Sequence, residues 1–449
     1  MDRTAINPLI LYVFSFITVS LSSGLVYGYP HFRNNLLLNG TNLTESQLGI
    51  VYTVGSWTVH GGRFFSGMAR DKFGTRIITF LSLLCASVGS IGLAVSDASD
   101  ILQLSISFFF VGLGSGGQLC LQPVASLFPK KWQGTILASL SGAFQISGLV
   151  FLILVKITEN RMYSYGSFVV ILFCLAVCSL YLLPKDQFVP EIIMEKISND
   201  DSSDHDGKED GINLVSGDNE NENKDMNNIH LQQEQDEGIT VKTRSIDTIK
   251  TWEYFFLLFW FSVVLIPMQY YIGTIAFQME RKGDVDGTYI NIFSICYALA
   301  AAASPIMGKC ADLAGLGATQ LIATLLIVFS LFILASSEAW WSLQVVGMAC
   351  YGIGRMTVFG MYFTNIGKRF GYTHYGTLVG LGLLISALVS LLQYPLIYLA
   401  DGGNEFEVNL ISGFVIMFFG APYCLWLALR ERREQKIEGM GETLTGSEP

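Results

Sequence analysis

Charge is scarce in this 449-residue chain: only 14% of it is Asp, Glu, Lys or Arg, against about 25% in a soluble domain. With 51% hydrophobic residues, that shortage excludes an ordinary water-soluble globule. Metal-site spacing is also missing. The eight cysteines, at 85, 120, 174, 178, 296, 310, 350 and 424, stand in or beside apolar stretches without a Cys-x-x-Cys pair, and read as small buried hydrophobes. No nucleophile–base pair, metal cluster or nucleotide loop is visible, which argues against bond chemistry and against any cofactor. Gly112-Leu113-Gly114-Ser115-Gly116-Gly117 has the glycines of a phosphate cradle, but it lies within an apolar run with no strand before it, so helix packing is its expected role. No Asp or Glu falls inside the core of any apolar stretch, so a buried carboxylate relay for protons is lacking and uniport or exchange is favoured over proton symport. The formal charge of −10 does not point to nucleic acid or to a basic partner, because residues 185–250 alone hold 17 acidic against 7 basic side chains.

What the chain does have is apolar length. Crossing a bilayer takes about 20 predominantly apolar residues. Such stretches fall at 8–29, 47–68, 77–95, 103–127, 135–157, 165–183, 253–277, 289–308, 318–336, 340–363, 375–399 and 407–428, and are numbered here spans 1 to 12. Backbone groups in hydrocarbon must be paired within their own segment, so the spans are predicted to be helices, giving an all-α membrane protein of twelve transmembrane helices. The first stretch is too long for a signal-peptide core and reads as a retained span. The expected organisation is a six-helix half over 1–184, a disordered acidic linker over 185–250, a second six-helix half over 251–429, and a tail over 430–449. With both termini cytoplasmic, the cytoplasmic segments collect 20 Lys and Arg and the opposite ones five. The glycosylation sequons at Asn39 and Asn42 then fall in the first external loop, with the plasma membrane as the default location. The expected partners are the lipid bilayer and a small-molecule solute, and the expected state is a monomer or weak oligomer.

One local pattern repeats. Gly67-Met68-Ala69-Arg70-Asp71-Lys72-Phe73-Gly74-Thr75-Arg76 ends span 2, and Gly308-Lys309-Cys310-Ala311-Asp312-Leu313-Ala314-Gly315 ends span 8, 241 residues later. Both read G-x3-D-x2-G; the second lacks the basic positions, with Leu313 and Gly317 in their place. The glycines permit a tight turn, and each Asp can accept from a neighbouring helix N-terminus as a conformational lock. This motif, with twelve helices in two halves, resembles the major facilitator superfamily, which implies a central site between two rocking halves. A finer resemblance lies in Tyr271-Ile272-Gly273-Thr274 of span 7, Arg355-Met356-Thr357-Val358-Phe359-Gly360 of span 10 and Gly376-Thr377-Leu378-Val379-Gly380-Leu381 with Leu391-Leu392-Gln393-Tyr394-Pro395-Leu396 of span 11. These runs, about a third of the chain, are similar to the large neutral amino acid transporters of solute carrier family 43 and related protist carriers. What the resemblance implies is facilitated transport of amino acids.

An ionisable side chain at mid-membrane costs roughly 2.5 to 3.5 kcal/mol even on a lenient scale, so it needs a reason. Arg355, near the middle of span 10, is the leading candidate: its guanidinium can clamp a carboxylate through two hydrogen bonds, or alternatively bond helix carbonyls. Arg63, four residues before Gly67, is expected to support the gate and motif. Tyr27, Gln118, Ser141 and Gln145 in the first half, and Gln269, Tyr270, Tyr271 and Gln393 in the second, are polar at plausible depth and complete the expected binding set. His60 could carry a proton, though a lone histidine is more often simply hydrogen-bonded. The expected function is alternating-access transport of amino acids, with large neutral ones as the finer expectation. An organic anion or monocarboxylate carrier, and a transporter-like nutrient sensor signalling through the acidic linker, are the alternatives.

Overall fold

A computed structural model describes residues 7–185, 251–336, 340–370 and 375–445. The acidic linker therefore lies outside the described residues, as do the side chains of Asp71 and Asp312 on which the lock reading rests. Every regular element among the described residues is helical. In chain order these are α1 (Pro8–Ser22), α2 (Tyr29–Leu38), α3 (Glu45–Val95), α4 (Ile101–Gly117), α5 (Lys130–Ile146), α6 (Leu149–Ile157), α7 (Arg161–Leu182), α8 (Trp252–Arg281), α9 (Thr288–Leu299), α10 (Ser304–Ala314), α11 (Leu316–Leu334), α12 (Trp341–Phe370), α13 (Tyr375–Ser390), α14 (Gln393–Leu399), α15 (Glu405–Val415) and α16 (Ala421–Thr445).

The twelve spans map onto these helices. Span 1 is α1 and α2, bent by 41°. It reaches Leu38 instead of stopping at residue 29, because a turn at Leu25–Gly28 lets the helix bend and continue. The bend is where span 1 meets span 5: the Gly24 N–H donates to Ser147 Oγ, and Gly28 packs on Phe151. Spans 2 and 3 are both in α3, spans 5 and 8 are α5 with α6 and α9 with α10, and spans 11 and 12 take α13 with α14 and α15 with α16. Seven described helices are apolar and long enough to cross a membrane, the last carrying spans 11 and 12 together, and the bent first pair makes an eighth. Span 8 is broken at Ala300–Ala303, and spans 2 and 10, of similar length, are less apolar; these last two hold His60, Arg63 and Arg355.

The repeated motif makes the same turn twice. Gly74 (φ 81°, ψ 163°) divides α3 into spans 2 and 3, and Gly315 (φ 90°, ψ 164°) separates α10 from α11. Glycine alone takes this backbone without strain. After Gly74, Arg76 Nε donates to the Leu183 carbonyl at 2.7 Å, tying span 3 to the end of span 6. After Gly315 the basic residues are missing, and the tail helix supplies the contact: Glu431 accepts from the Gly317 N–H at 2.9 Å, at the N-terminus of α11. Arg369 lies 3.5 Å from Glu253 and 3.8 Å from Glu431, and Arg430 pairs with Glu253.

Span 4 packs by its small residues. A Cβ at Gly114 would lie 2.5 Å from the Ala86 backbone nitrogen, and one at Gly116 2.5 Å from the Val59 carbonyl. The glycine-rich run is thus the seam of span 4 against spans 2 and 3. All eight cysteines are free, and Cys174 and Cys178 are exposed on span 6 rather than buried, because that stretch of helix turns outward where lipid would lie.

Candidate functional site

The two halves are fastened on the face that carries Asn39 and Asn42, both exposed. Arg33, only 3% exposed, is held by Glu45 (2.5 Å) from its own half and Glu280 (2.7 Å) from the other. Asp401 of the second half accepts from the Ser46 N–H (2.9 Å) and hydroxyl (2.5 Å), and binds Arg281 at 3.2 Å. Deeper, His31 meets Ser294 (2.6 Å), Gln393 Nε2 donates to Ser56 Oγ (2.6 Å), and Tyr52 donates to Gln269 Oε1 (2.9 Å). Gln269 Nε2 in turn donates to His60 Nε2 (2.6 Å). Such a bond calls for an accepting ring nitrogen, which a neutral imidazole offers.

Below these fastenings, toward Gly74 and Gly315, lies a cavity lined from both halves. Span 1 gives Val19 and Ser23, span 2 Arg63, span 4 Gln118 and Gln122, and span 5 Ser141, Phe144 and Gln145. The other half gives Tyr297 from span 8 and Arg355, Met356, Phe359 and Phe363 from span 10. Arg355 is 1% exposed. Its Nε donates to the Tyr297 hydroxyl (3.1 Å) and Nη1 to that of Tyr351 (3.4 Å), and the guanidinium sits 4.4 Å from the Tyr27 ring centroid. Arg63, 5% exposed, lies 4.6 Å from the ring centroid of Phe144. Both arginines also face one ring, Phe359, at 5.2 and 5.9 Å, and the His60 ring is stacked parallel to it at 5.7 Å. Cation–ring attraction partly offsets the cost of burying each ion.

Three polar atoms in the cavity wall have no hydrogen-bond partner among the described residues: Arg355 Nη2, Gln118 Oε1 and Gln145 Oε1. The two amide nitrogens are engaged, with the Gly114 and Gly352 carbonyls at 3.4 Å. The residues around the cavity thus carry one unmatched donor and two unmatched acceptors, all three atoms buried in this structure. A buried polar group left unmet costs about 1–3 kcal/mol, so the arrangement suits a solute that meets all three.

Of the residues singled out in the sequence, Arg355, Gln118, Ser141 and Gln145 line this cavity, and Tyr27 lies under Arg355. Gln269 and Gln393 instead join the halves above it. Tyr271 stacks on Tyr351 at 4.1 Å, behind Arg355. Tyr270 is elsewhere: its hydroxyl accepts from Gln278 (3.1 Å), itself bonded to Asn409, inside the second half. Arg63 is placed in the cavity wall, whereas the sequence put it with the motif; side chains on a helix lean toward its N-terminus, here away from Gly67 and into the bundle. Phe359 and Tyr297 are the residues sequence reasoning missed. Phe359 stands one helical turn beyond Arg355, a spacing that could have flagged it; Tyr297 left no signal distinguishing it from core.

The chain matches the sequence profile described as Major Facilitator Superfamily over residues 4–393. It is 23% identical over 423 residues to Equilibrative nucleobase transporter 1 of Bos taurus, covering 83% of both chains. A shorter match, 30% identical over 114 residues, relates 24% of this chain to 26% of the cis,cis-muconate transport protein of Acinetobacter baylyi (strain ATCC 33305 / BD413 / ADP1). Among solved structures, a POT family transporter in complex with 5-aminolevulinic acid superposes with a TM-score of 0.64 at 12% identity, over 94% of this chain and 96% of that one, a likeness of fold.

Proposed function

Because the chain belongs to the Major Facilitator Superfamily, and is a membrane transport protein rather than an enzyme, we propose that its cargo is a small, flat nitrogen heterocycle of nucleobase type, carried in the central cavity by rocking of two six-helix halves. The observation that carries this reading is the unmatched N–H of Arg355 and the unmatched amide oxygens of Gln118 and Gln145 on residues lining one cavity, whose wall also holds Phe144, Tyr297 and Phe359, with the Tyr27 ring against the Arg355 guanidinium. A nucleobase offers a carbonyl oxygen to the guanidinium, ring or exocyclic N–H groups to the amides, and a flat face to the rings. The breadth of the likeness to a nucleobase transporter supports the same choice.

The amino acid reading uses the same three atoms, with the carboxylate on Arg355 and the ammonium on the amide oxygens. It ranks second because the ammonium would enter a cavity holding two guanidinium groups and, among the described residues, no carboxylate in its wall. A monocarboxylate without N–H groups leaves both amide oxygens unmet. The sensor reading rests on residues 185–250, outside the described ones.

Transport is proposed to be uniport or exchange, with Asn39 and Asn42 glycosylated on the outer face of the plasma membrane, and the motif turns at Gly74 and Gly315 acting as pivots. The test is uptake of radiolabelled hypoxanthine, adenine, leucine and arginine in sodium-free buffer by oocytes expressing the protein, with cross-competition. Saturable purine uptake that leucine does not inhibit supports the heterocycle reading. Leucine uptake insensitive to every purine replaces it with the amino acid reading.

A further inference from the structure

The cavity holds more positive charge than a neutral heterocycle can use. Arg63 and Arg355 come from opposite halves, are both nearly fully buried, and share the Phe359 ring. Among the described residues neither pairs with a carboxylate. The same fold shows what it does with a buried arginine when neutrality is wanted: Arg33 takes both Glu45 and Glu280. The titratable groups around the pair are Tyr27 from span 1, Tyr52 and His60 from span 2, Tyr297 from span 8 and Tyr351 from span 10, and none of these supplies a negative charge in its ordinary state. Two like charges in a medium of low dielectric repel one another, and each lacks a counter-ion. A single delocalised negative charge between them relieves both; a neutral cargo relieves neither.

Resting on the nucleobase reading, we propose that the site selects the anionic form of its cargo, the deprotonated lactam of an acidic oxo-purine, over neutral purines. Its negative charge is spread over ring nitrogens and carbonyl oxygens, which suits two guanidiniums set apart on the wall, while a remaining N–H still reaches Gln118 or Gln145.

The experiment is inhibition of uptake by the wild-type carrier with xanthine, which ionises near neutrality, urate, already an anion, and hypoxanthine, which stays neutral, from mildly acidic to mildly alkaline pH. Xanthine is expected to gain affinity with pH in step with its own ionised fraction, by roughly ten- to a hundredfold, the worth of a hydrogen bond to a charged partner. Hypoxanthine and urate stay flat, with urate the stronger of the two. His60 is the one nearby group that ordinarily titrates in this range. If the midpoint belongs to the cargo, His60→Gln leaves it in place, whatever happens to the rate. In Arg63→Gln the preference for xanthine over hypoxanthine collapses, and in Arg63→Lys it survives. Xanthine inhibition that ignores pH while hypoxanthine is transported overturns the proposal and leaves the nucleobase reading standing. A midpoint that moves in His60→Gln assigns the effect to the protein and also overturns it. Failure of every purine to bind removes the nucleobase reading and the proposal with it.

Discussion

At the scale of single residues, Arg355 separates charge from geometry. Lysine keeps the charge but cannot reach Tyr297, Tyr351 and a cargo at once, since it lacks the planar fork. Arg355→Lys is expected to lose roughly ten- to a hundredfold in kcat/KM for the transported solute, with the protein still folded, as read by uptake kinetics against surface expression. Tyr270→Phe makes the opposite case: it removes a buried acceptor for Gln278 and should cost about 1 kcal/mol or more in stability while leaving solute selectivity unchanged. Lys282, just past the end of span 7, donates to the Leu334 carbonyl at 2.6 Å, and burial pushes its ammonium down to about 8. Its folded value is depressed, so the unfolded chain holds more protons between there and the ordinary lysine value of about 10.4. The penalty is whole below about 8 and fades as the pH rises, so thermal stability in detergent should increase through this window, and Lys282→Met should remove that increase.

At the scale of elements, hydropathy located the helices but not their bends. A bend depends on what a partner helix offers, as Ser147 does for the Gly24 N–H. The glycine-rich run of span 4 shows how tight such contacts are. Gly114→Ala would drive a methyl group into the backbone of span 3, at Ala86 N and the Ser82 carbonyl (2.5 and 2.6 Å), atoms that cannot step aside. Overpacking of this kind costs about 1–3 kcal/mol, visible as a lowered melting temperature in detergent. The two motif turns share one backbone conformation but different fastenings, Arg76 in the first half and Glu431 in the second. The second fastening was not legible, because the residue that replaces the missing basic side chain lies more than a hundred positions away on the tail helix.

At the scale of the whole molecule, the halves are closed on the Asn39 side by one buried arginine and a ladder of polar contacts. Glu280→Gln removes the ion pair between halves and leaves Arg33 its own Glu45. Glu280 is half exposed, so the change is worth about 1 kcal/mol at most, a roughly two- to fivefold shift in population. A cysteine introduced at Ser56, sealed in this structure, should then be alkylated faster by a reagent applied from the Asn39 side. An unchanged rate would mean that the ion pair does not hold this face shut.

The sequence by itself determined the membrane class, the run of apolar spans, the paired turns at Gly74 and Gly315, and a charge within span 10 at Arg355. Each is a local property: burial in lipid writes itself into consecutive residues, a left-handed turn into a glycine, and a charge in hydrocarbon into one conspicuous side chain. Tertiary structure alone decided which polar groups share a cavity. Successive residues on a helix point about 100° apart, so Gln269 reaches His60 in the other half, Tyr270 turns inward to Gln278, and Tyr271 stacks on Tyr351, although the three are neighbours in sequence. The rotation of each helix about its own axis is set by packing between distant segments, and that rotation brought Arg63 of span 2 and Arg355 of span 10 to one phenylalanine ring.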